Sequence, residues 1–215
     1  LEDMLEAEKF DLLHVHEPEV PVLGAQIAAR ADCPIVATFH ATMPDTAVAK
    51  SIELFRIPFA RSIFKNIAAM TAVSETAARF VRDWSEQHVD IIPNYVDMNY
   101  FAPKADNKRE ISTILYVGRL EKRKGVRYLL KAFAELAGRD KTVELIIAGD
   151  GPERVKLETW VEDYEVPRVK FLGAVDEATK LELLHRASLF CSPALYGESF
   201  GIVLLEAMAA GLPIV

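Results

Sequence analysis

The chain has 215 residues, 51% of them hydrophobic, and a formal net charge of −7. That size suits one large domain or two small ones, each with its own buried core, and the acidic balance argues against non-specific nucleic-acid binding while leaving room for a local basic site. Two cysteines without metal-ligand spacing fit a reducing, cytoplasmic compartment, and no run of about eighteen apolar residues marks a transmembrane helix.

The chain opens in what reads as the middle of a helix, "LEDMLEAEKFD", which lacks the basic-then-apolar order of a signal peptide. Strand candidates follow at 12–16, 34–39, 68–73 and 90–92, then at 112–118, 143–149, 168–173 and 188–192. They are rich in Val, Ile and Leu and do not alternate with polar residues, as expected of parallel strands covered on both faces. Helical patterns lie between them at 20–30, 48–67, 75–85, 126–137, 153–164, 177–186 and 200–210, with Ser74 and Asp176 placed as N-caps. The closing "GLPIV" reads as an unfinished strand, so both ends look cut and a fragment is expected.

The βαβα order predicts a doubly wound α/β architecture. The polar, aperiodic stretch 94–110 breaks the rhythm and reads as a linker. The expected organisation is an incomplete Rossmann-like domain over 1–93, the linker, and a second incomplete Rossmann-like domain over 111–215. Open α/β sheets bind ligands beyond the carboxyl ends of their strands, and two such domains facing each other would enclose a cleft.

Four stretches at strand ends carry candidate chemistry. In "VGRLEKRKG" (117–125), Arg119, Lys122, Arg123 and Lys124 surround the single acid Glu121; guanidinium forks and ammonium point charges together suit a diphosphate, although a solvated basic turn has the same composition. In "AGDGPE" (148–153), Gly149 and Gly151 permit close backbone approach, to a ligand or simply within a tight strand-to-helix turn. In "GESFGIVLLEAMAAG" (197–211), Ser199, Phe200 and Gly201 would place unpaired N–H groups at a helix start, a natural phosphate site.

Two acids belong to that third stretch. An acid beside bound phosphate would be repelled, so Glu198 should aim at sugar hydroxyls. Glu206 sits in a helix that is apolar nearly all round and should be buried. A carboxylate there needs a partner: a ribose diol on the functional reading, an ion pair on the structural one. In the fourth stretch, "VATFHATMP" (36–44), His40 ends a strand, where it could bond a sugar hydroxyl or stabilise developing charge. His14 and His16 share one strand face with no third ligand evident, so no metal is expected, and Glu17 with Pro18 should shape a turn.

Taken together, "GRLEKRKG", "AGDGPE", "FLGAV", "PNYVD" and "ALYGESFGIVLLEAMAAGLPIV" resemble the retaining GT-B glycosyltransferases of family four, with Glu198 and Glu206 in the places of that family's E-x7-E pair. "HVHEPEVP" and "PIVATFHA" look particularly like the bacterial phosphatidylinositol α-mannosyltransferases, which use GDP-mannose. The resemblance implies that Arg119 and Lys124 bind the donor diphosphate, with Gly149 also on the donor side. It implies that Glu198 contacts the transferred sugar, that the backbone at Phe200, Gly201 and Ile202 holds sugar and phosphate, that Glu206 binds the ribose, and that His40 assists transfer. It further implies no metal or other cofactor, because the Arg/Lys pair neutralises the leaving diphosphate. The implied partners are a nucleotide-sugar donor and a lipid or glycan acceptor.

The family's first strand and glycine loop have no counterpart in these residues. Asp45 stands where the phosphatidylinositol enzymes carry a Lys, and Tyr95 replaces the Gly of "PNGVD". The cationic, apolar "KSIELFRIPFARSIFKNI" (50–67) suits peripheral contact with an anionic membrane or a core helix with snorkelling cations. The rival functions are a nucleotide-sugar-binding fragment without turnover and a UDP-sugar enzyme such as an epimerase.

Overall fold

The computed structural model describes residues 1–18, 23–41, 60–103 and 112–215. The chain divides into two compact units: Leu1–Asn94 with Gly197–Phe200, and Tyr95–Tyr196 with Gly201–Val215. Each is a Rossmann-like α/β layer built on a four-stranded, wholly parallel sheet.

In the first unit the strands run in the order β1 (Leu13–His16), β2 (Ile35–Phe39), β3 (Ala69–Ala72) and β4 (Val89–Ile91). The described helical segments are α1 (Glu2–Glu8), α2 (Leu23–Arg30), α3 (60–64) and α4 (Glu75–Arg82). The inner strand β2 buries Ala37 and Phe39 completely, whereas the edge strand β1 alternates between half-buried and exposed residues. The absence of alternation read from the sequence therefore holds for the centre of the sheet and not for this edge. The Ser74 hydroxyl caps α4 by accepting from the Ala77 N–H at 3.1 Å. That helix then turns Ala77, Ala78 and Val81 inward while Glu75, Arg79 and Arg82 face water. Of the stretch 50–67, the part before residue 60 lies outside the described residues, as does Asp45; Arg61 and Lys65 are exposed.

The second unit orders its strands β7 (Val169–Gly173), β6 (Glu144–Ala148), β5 (Thr113–Val117), β8 (Leu189–Phe190). Around them pack α5 (Met98–Phe101), α6 (Val126–Arg139), α7 (Arg154–Asp163), α8 (Glu177–Arg186) and α9 (Ile202–Ala209). Helix α6 buries Val126, Leu129, Leu130, Phe133 and Ala137, one stripe at helical spacing. Asp176 caps α8 through the Thr179 N–H at 2.8 Å. Arg168 links α6 to the sheet by donating to the carbonyls of Val143, Ala137 and Asp140.

Three local differences from the sequence reading have physical causes. The stretch 94–110 is not structureless throughout: the Asp97 carboxylate accepts from the N–H groups of Asn99 and Tyr100, which starts α5, and Phe101 is buried in the second unit. Strand β8 is only two residues long, and Phe190 bridges in parallel to Ile214 of the closing apolar run. Helix α9 begins at Ile202 because Gly201, at φ 79°, holds the left-handed conformation of its N-cap, so Ser199 and Phe200 precede the helix. The helix is also less buried than its all-round apolar surface predicts, with Ile202 45% and Met208 59% exposed.

Glycines close the strand ends of the second unit. Gly149 has φ +141°, and a Cβ there would lie 1.9 Å from the Gly118 carbonyl oxygen. Gly149→Ala should therefore cost at least about 2 kcal/mol, read as a fall in the denaturation midpoint; a change below about 0.5 kcal/mol would mean that the strand ends are not this close. No helix among the described residues is long and apolar enough to cross a membrane.

Candidate functional site

At the carboxyl edge of the second sheet, the basic stretch leaves β5, forms a single 3₁₀ turn (Lys122–Lys124) and enters α6 through Gly125. Backbone bonds lace it to both neighbouring loops. Leu120 N–H donates to Asp150 O at 2.9 Å, Glu153 N–H donates back to Leu120 O at 2.9 Å, and Leu195 N–H donates to Arg123 O at 2.8 Å. The glycines match this lacing: a Cβ on Gly125 would meet the Pro193 carbonyl at 2.0 Å, and one on Gly151 would meet the Leu120 backbone. The tight-turn reading of Gly149 and Gly151 thus has a direct structural basis.

Glu121 organises the charge of this loop. Its two carboxylate oxygens take Arg119 Nε and Arg123 Nε, each at 2.7 Å. The hydrogen bond from Arg123 holds Glu121 below the ordinary carboxylate range against some desolvation, and the charges of Arg123, Arg119 and Lys124 add to the effect. Arg119 is left 71% exposed at the side chain. A recess of about 250 Å³ flanks the loop, lined by Lys122, Arg127, Tyr128, Glu153 and Tyr196 among others.

Glu206 is 8% exposed and is paired: Lys180 Nζ of α8 lies 2.8 Å from its Oε1. Lys180 also bonds Glu177 and sits 5.7 Å above the Phe101 ring. Burial lowers the Lys180 pKa, but the hydrogen bonds to Glu206 and Glu177 outweigh it and leave the ammonium above its ordinary range. This partner lies 26 positions away in sequence, and nothing in the local pattern of α8 marks it.

At the carboxyl edge of the first sheet, His14 and His16 of β1 do share a face, with ring centroids 4.5 Å apart. His14 Nε2 bonds the Thr38 hydroxyl at 2.7 Å, which pairs with that of Thr71 at 2.7 Å. His16 Nδ1 lies 2.7 Å from His40 Nε2. Glu17 does more than turn the chain: its Oε1 accepts the N–H groups of His40 and Ala41 at 2.5 and 2.6 Å. Burial lowers the His40 pKa, with the neighbouring His16 and His14 acting the same way and Glu17 opposing. No group of three or more His, Cys, Asp and Glu side chains among the described residues could hold a metal ion.

The sequence-derived residues thus fall in two sets. Arg119, Lys124, Gly149, Gly201, Ile202 and Glu206 belong to the second unit; His40, Glu198, Ser199 and Phe200 group with the first, where Phe200 packs against the core.

Residues 100–215 match the family described as glycosyl transferases group 1, and residues 1–100 match glycosyltransferase family 4. The phosphatidyl-myo-inositol mannosyltransferase of Mycolicibacterium smegmatis is 41% identical over 96% of this chain and 53% of its own length. That of Mycobacterium tuberculosis is 37% identical over 96% of this chain and 54% of its own. The chain therefore spans about half the length of the curated relatives it matches. Among solved structures, Anabaena HepE in complex with UDP and glucose superimposes with a TM-score of 0.81 at 21% identity, covering 99% of this chain and 60% of that one. Sucrose-phosphate synthase from Thermosynechococcus elongatus gives 0.78 at 26%, covering 98% and 58%. Two Rossmann-like parallel sheets, the GT-B pattern of these neighbours, and a group 1 match over more than half of the residues agree: the chain belongs to the glycosyltransferase group 1 family.

Proposed function

We propose that the full-length protein is a retaining hexosyltransferase that moves mannose from GDP-mannose to phosphatidylinositol or a related lipid or glycan. The observation that carries this reading is the 41% identity to a phosphatidyl-myo-inositol mannosyltransferase across 96% of the chain. The laced basic loop at a parallel-sheet edge supports it independently, because its cations are held in place before any ligand arrives.

In this reading Arg119 and Lys124 neutralise the diphosphate as the glycosidic bond to it breaks, which makes preorganised charge the main source of rate and removes the need for a metal. Glu198 takes hydroxyls of the transferred sugar, and the backbone from Phe200 to Ile202 holds sugar and phosphate. Glu206 offers one carboxylate oxygen to the ribose diol while Lys180 occupies the other. His40 assists transfer from beside the sugar. The protein would work in the cytoplasm, in peripheral contact with the membrane that carries its acceptor.

Calorimetry on the full-length protein with GDP, GDP-mannose, UDP-glucose and UDP-N-acetylglucosamine tests the donor, and mannosyl transfer to phosphatidylinositol vesicles with excess EDTA tests the acceptor and metal independence. Tight binding of GDP-mannose, with transfer surviving EDTA, is expected. Preferential binding of a UDP-sugar overturns the donor assignment, and failure of phosphatidylinositol to accept mannose overturns the acceptor.

A further inference from the structure

Beyond the roles the resemblance implies, the first unit contains an arrangement aimed at one residue. Strands β1 and β2 are parallel, with His16 opposite Thr38, so β2 runs on past the end of β1. Glu17, at φ 50°, ends β1 by turning the chain in the left-handed region. Its own N–H still pairs with the Thr38 carbonyl at 3.1 Å. The turn brings its carboxylate over the end of β2, where one oxygen takes two successive backbone N–H groups, those of His40 and Ala41. Charge-assisted bonds of this kind are about twice as strong as neutral ones. The ring of His40 is held separately: its Nε2 is occupied by His16 Nδ1, and the His14, His16 and His40 rings follow one another at 4.5 and 4.9 Å.

We propose that Glu17 and His16 are positioning residues for His40, Glu17 fixing its backbone and His16 its imidazole, so that Nδ1 is the ring nitrogen left for the donor sugar. The inference rests on the reading that His40 assists transfer. A direct bond between two imidazoles requires a proton on one nitrogen and a lone pair on the other, so it survives only while one of the two rings is neutral. Among the described residues, the titratable groups acting on His40 are His16 and His14 of β1 and Glu17 behind it. Neutral His40 is then the working form, and activity falls as pH drops through its pKa.

The two supports act on that pKa with opposite signs, which a merely structural role would not reproduce. His16→Gln removes a like charge while an amide can still bond Nε2, so the acid limb of the kcat–pH profile should move to higher pH. Glu17→Gln removes an opposite charge while an oxygen still accepts both N–H groups, so the limb should move to lower pH. Glu17→Ala loses both bonds and should lower kcat about tenfold or more through misplacement. NMR titration of the His40 imidazole in the full-length protein and the two Gln variants reads the same shifts without turnover. The inference is overturned if neither limb moves, or both move the same way, while His40→Ala still abolishes transfer. If His40→Ala leaves transfer intact, the role of His40 itself fails and takes this inference with it.

Discussion

Lys124→Ala in the full-length protein should lower kcat/KM for the nucleotide sugar by about 10²–10³, the loss seen when one preorganised charge-stabilising group is removed from a transfer reaction. Three other cations crowd the same loop, yet they are not equivalent. Arg123 gives its Nε to Glu121 and its carbonyl to Leu195, so it builds the loop. Arg119 gives its Nε to the same carboxylate from a side chain that is 71% exposed. Lys124 is half-buried at the end of the 3₁₀ turn, immediately before the Gly125 N-cap of α6.

The turn itself is held by backbone bonds, Lys124 N–H to Glu121 O at 3.0 Å and Gly125 N–H to Lys122 O at 3.2 Å, which alanine keeps. The turn should therefore still form in the variant. Steady-state kinetics with a thermal melt on the same sample separates the effect on transfer from any effect on folding. A variant that melts normally and transfers within twofold of wild type would remove Lys124 from the diphosphate site.

Lys180→Met should markedly destabilise the second unit. The lysine and Glu206 side chains are 13% and 10% exposed, so removing the cation strands a carboxylate in a place that cannot solvate it. Breaking one side of a buried pair costs about 3–5 kcal/mol. In a chain of this size that corresponds to a fall in Tm of roughly 10 °C. The pair Lys170–Glu144 provides the contrast: Lys170 is 59% exposed, and Lys170→Met should cost less than about 1 kcal/mol.

The double variant Lys180→Met with Glu206→Leu should recover most of the loss, since apolar groups of similar volume replace buried pairs at little cost. If the double variant is no more stable than the single one, the ion pair is not what holds α8 to α9. The sign with pH follows from the raised pKa of Lys180. The unfolded lysine has its ordinary pKa, so the contribution is complete below that value and is lost as pH rises through the higher folded one.

What could be read from the sequence was whatever depends on near neighbours. The apolar runs located the eight strands of the described residues, most clearly inner strands such as β2 and β5, which are apolar along their length because both faces are covered. Ser74 and Asp176 announced their helices three residues ahead of the N–H groups they accept. Asp97 carried the same kind of signal, but the polar residues around it hid a helix of one turn.

The candidate site was legible as residue types and not as partnerships. Lys180 meets Glu206 across 26 positions, and His16 meets His40 across 24. Both encounters are set by strand register and helix packing, which no local pattern encodes. Glu121 is the instructive intermediate: it stood out as the one acid in a basic stretch, but that it clamps two arginines at once is a matter of geometry.

The backbone lacing of the second unit has a consequence for anyone wishing to redesign this edge of the sheet. The segments 118–125, 149–153 and 193–195 are joined by backbone hydrogen bonds, and Gly125, Gly149 and Gly151 stand where any side chain would collide with the backbone of another of these segments. Transplanting a single segment from a relative would mismatch its neighbours, whereas exchanging the three as one cassette preserves their mutual fit. Chimaeras built by cassette are accordingly the tractable way to vary this edge of the sheet without unfolding it.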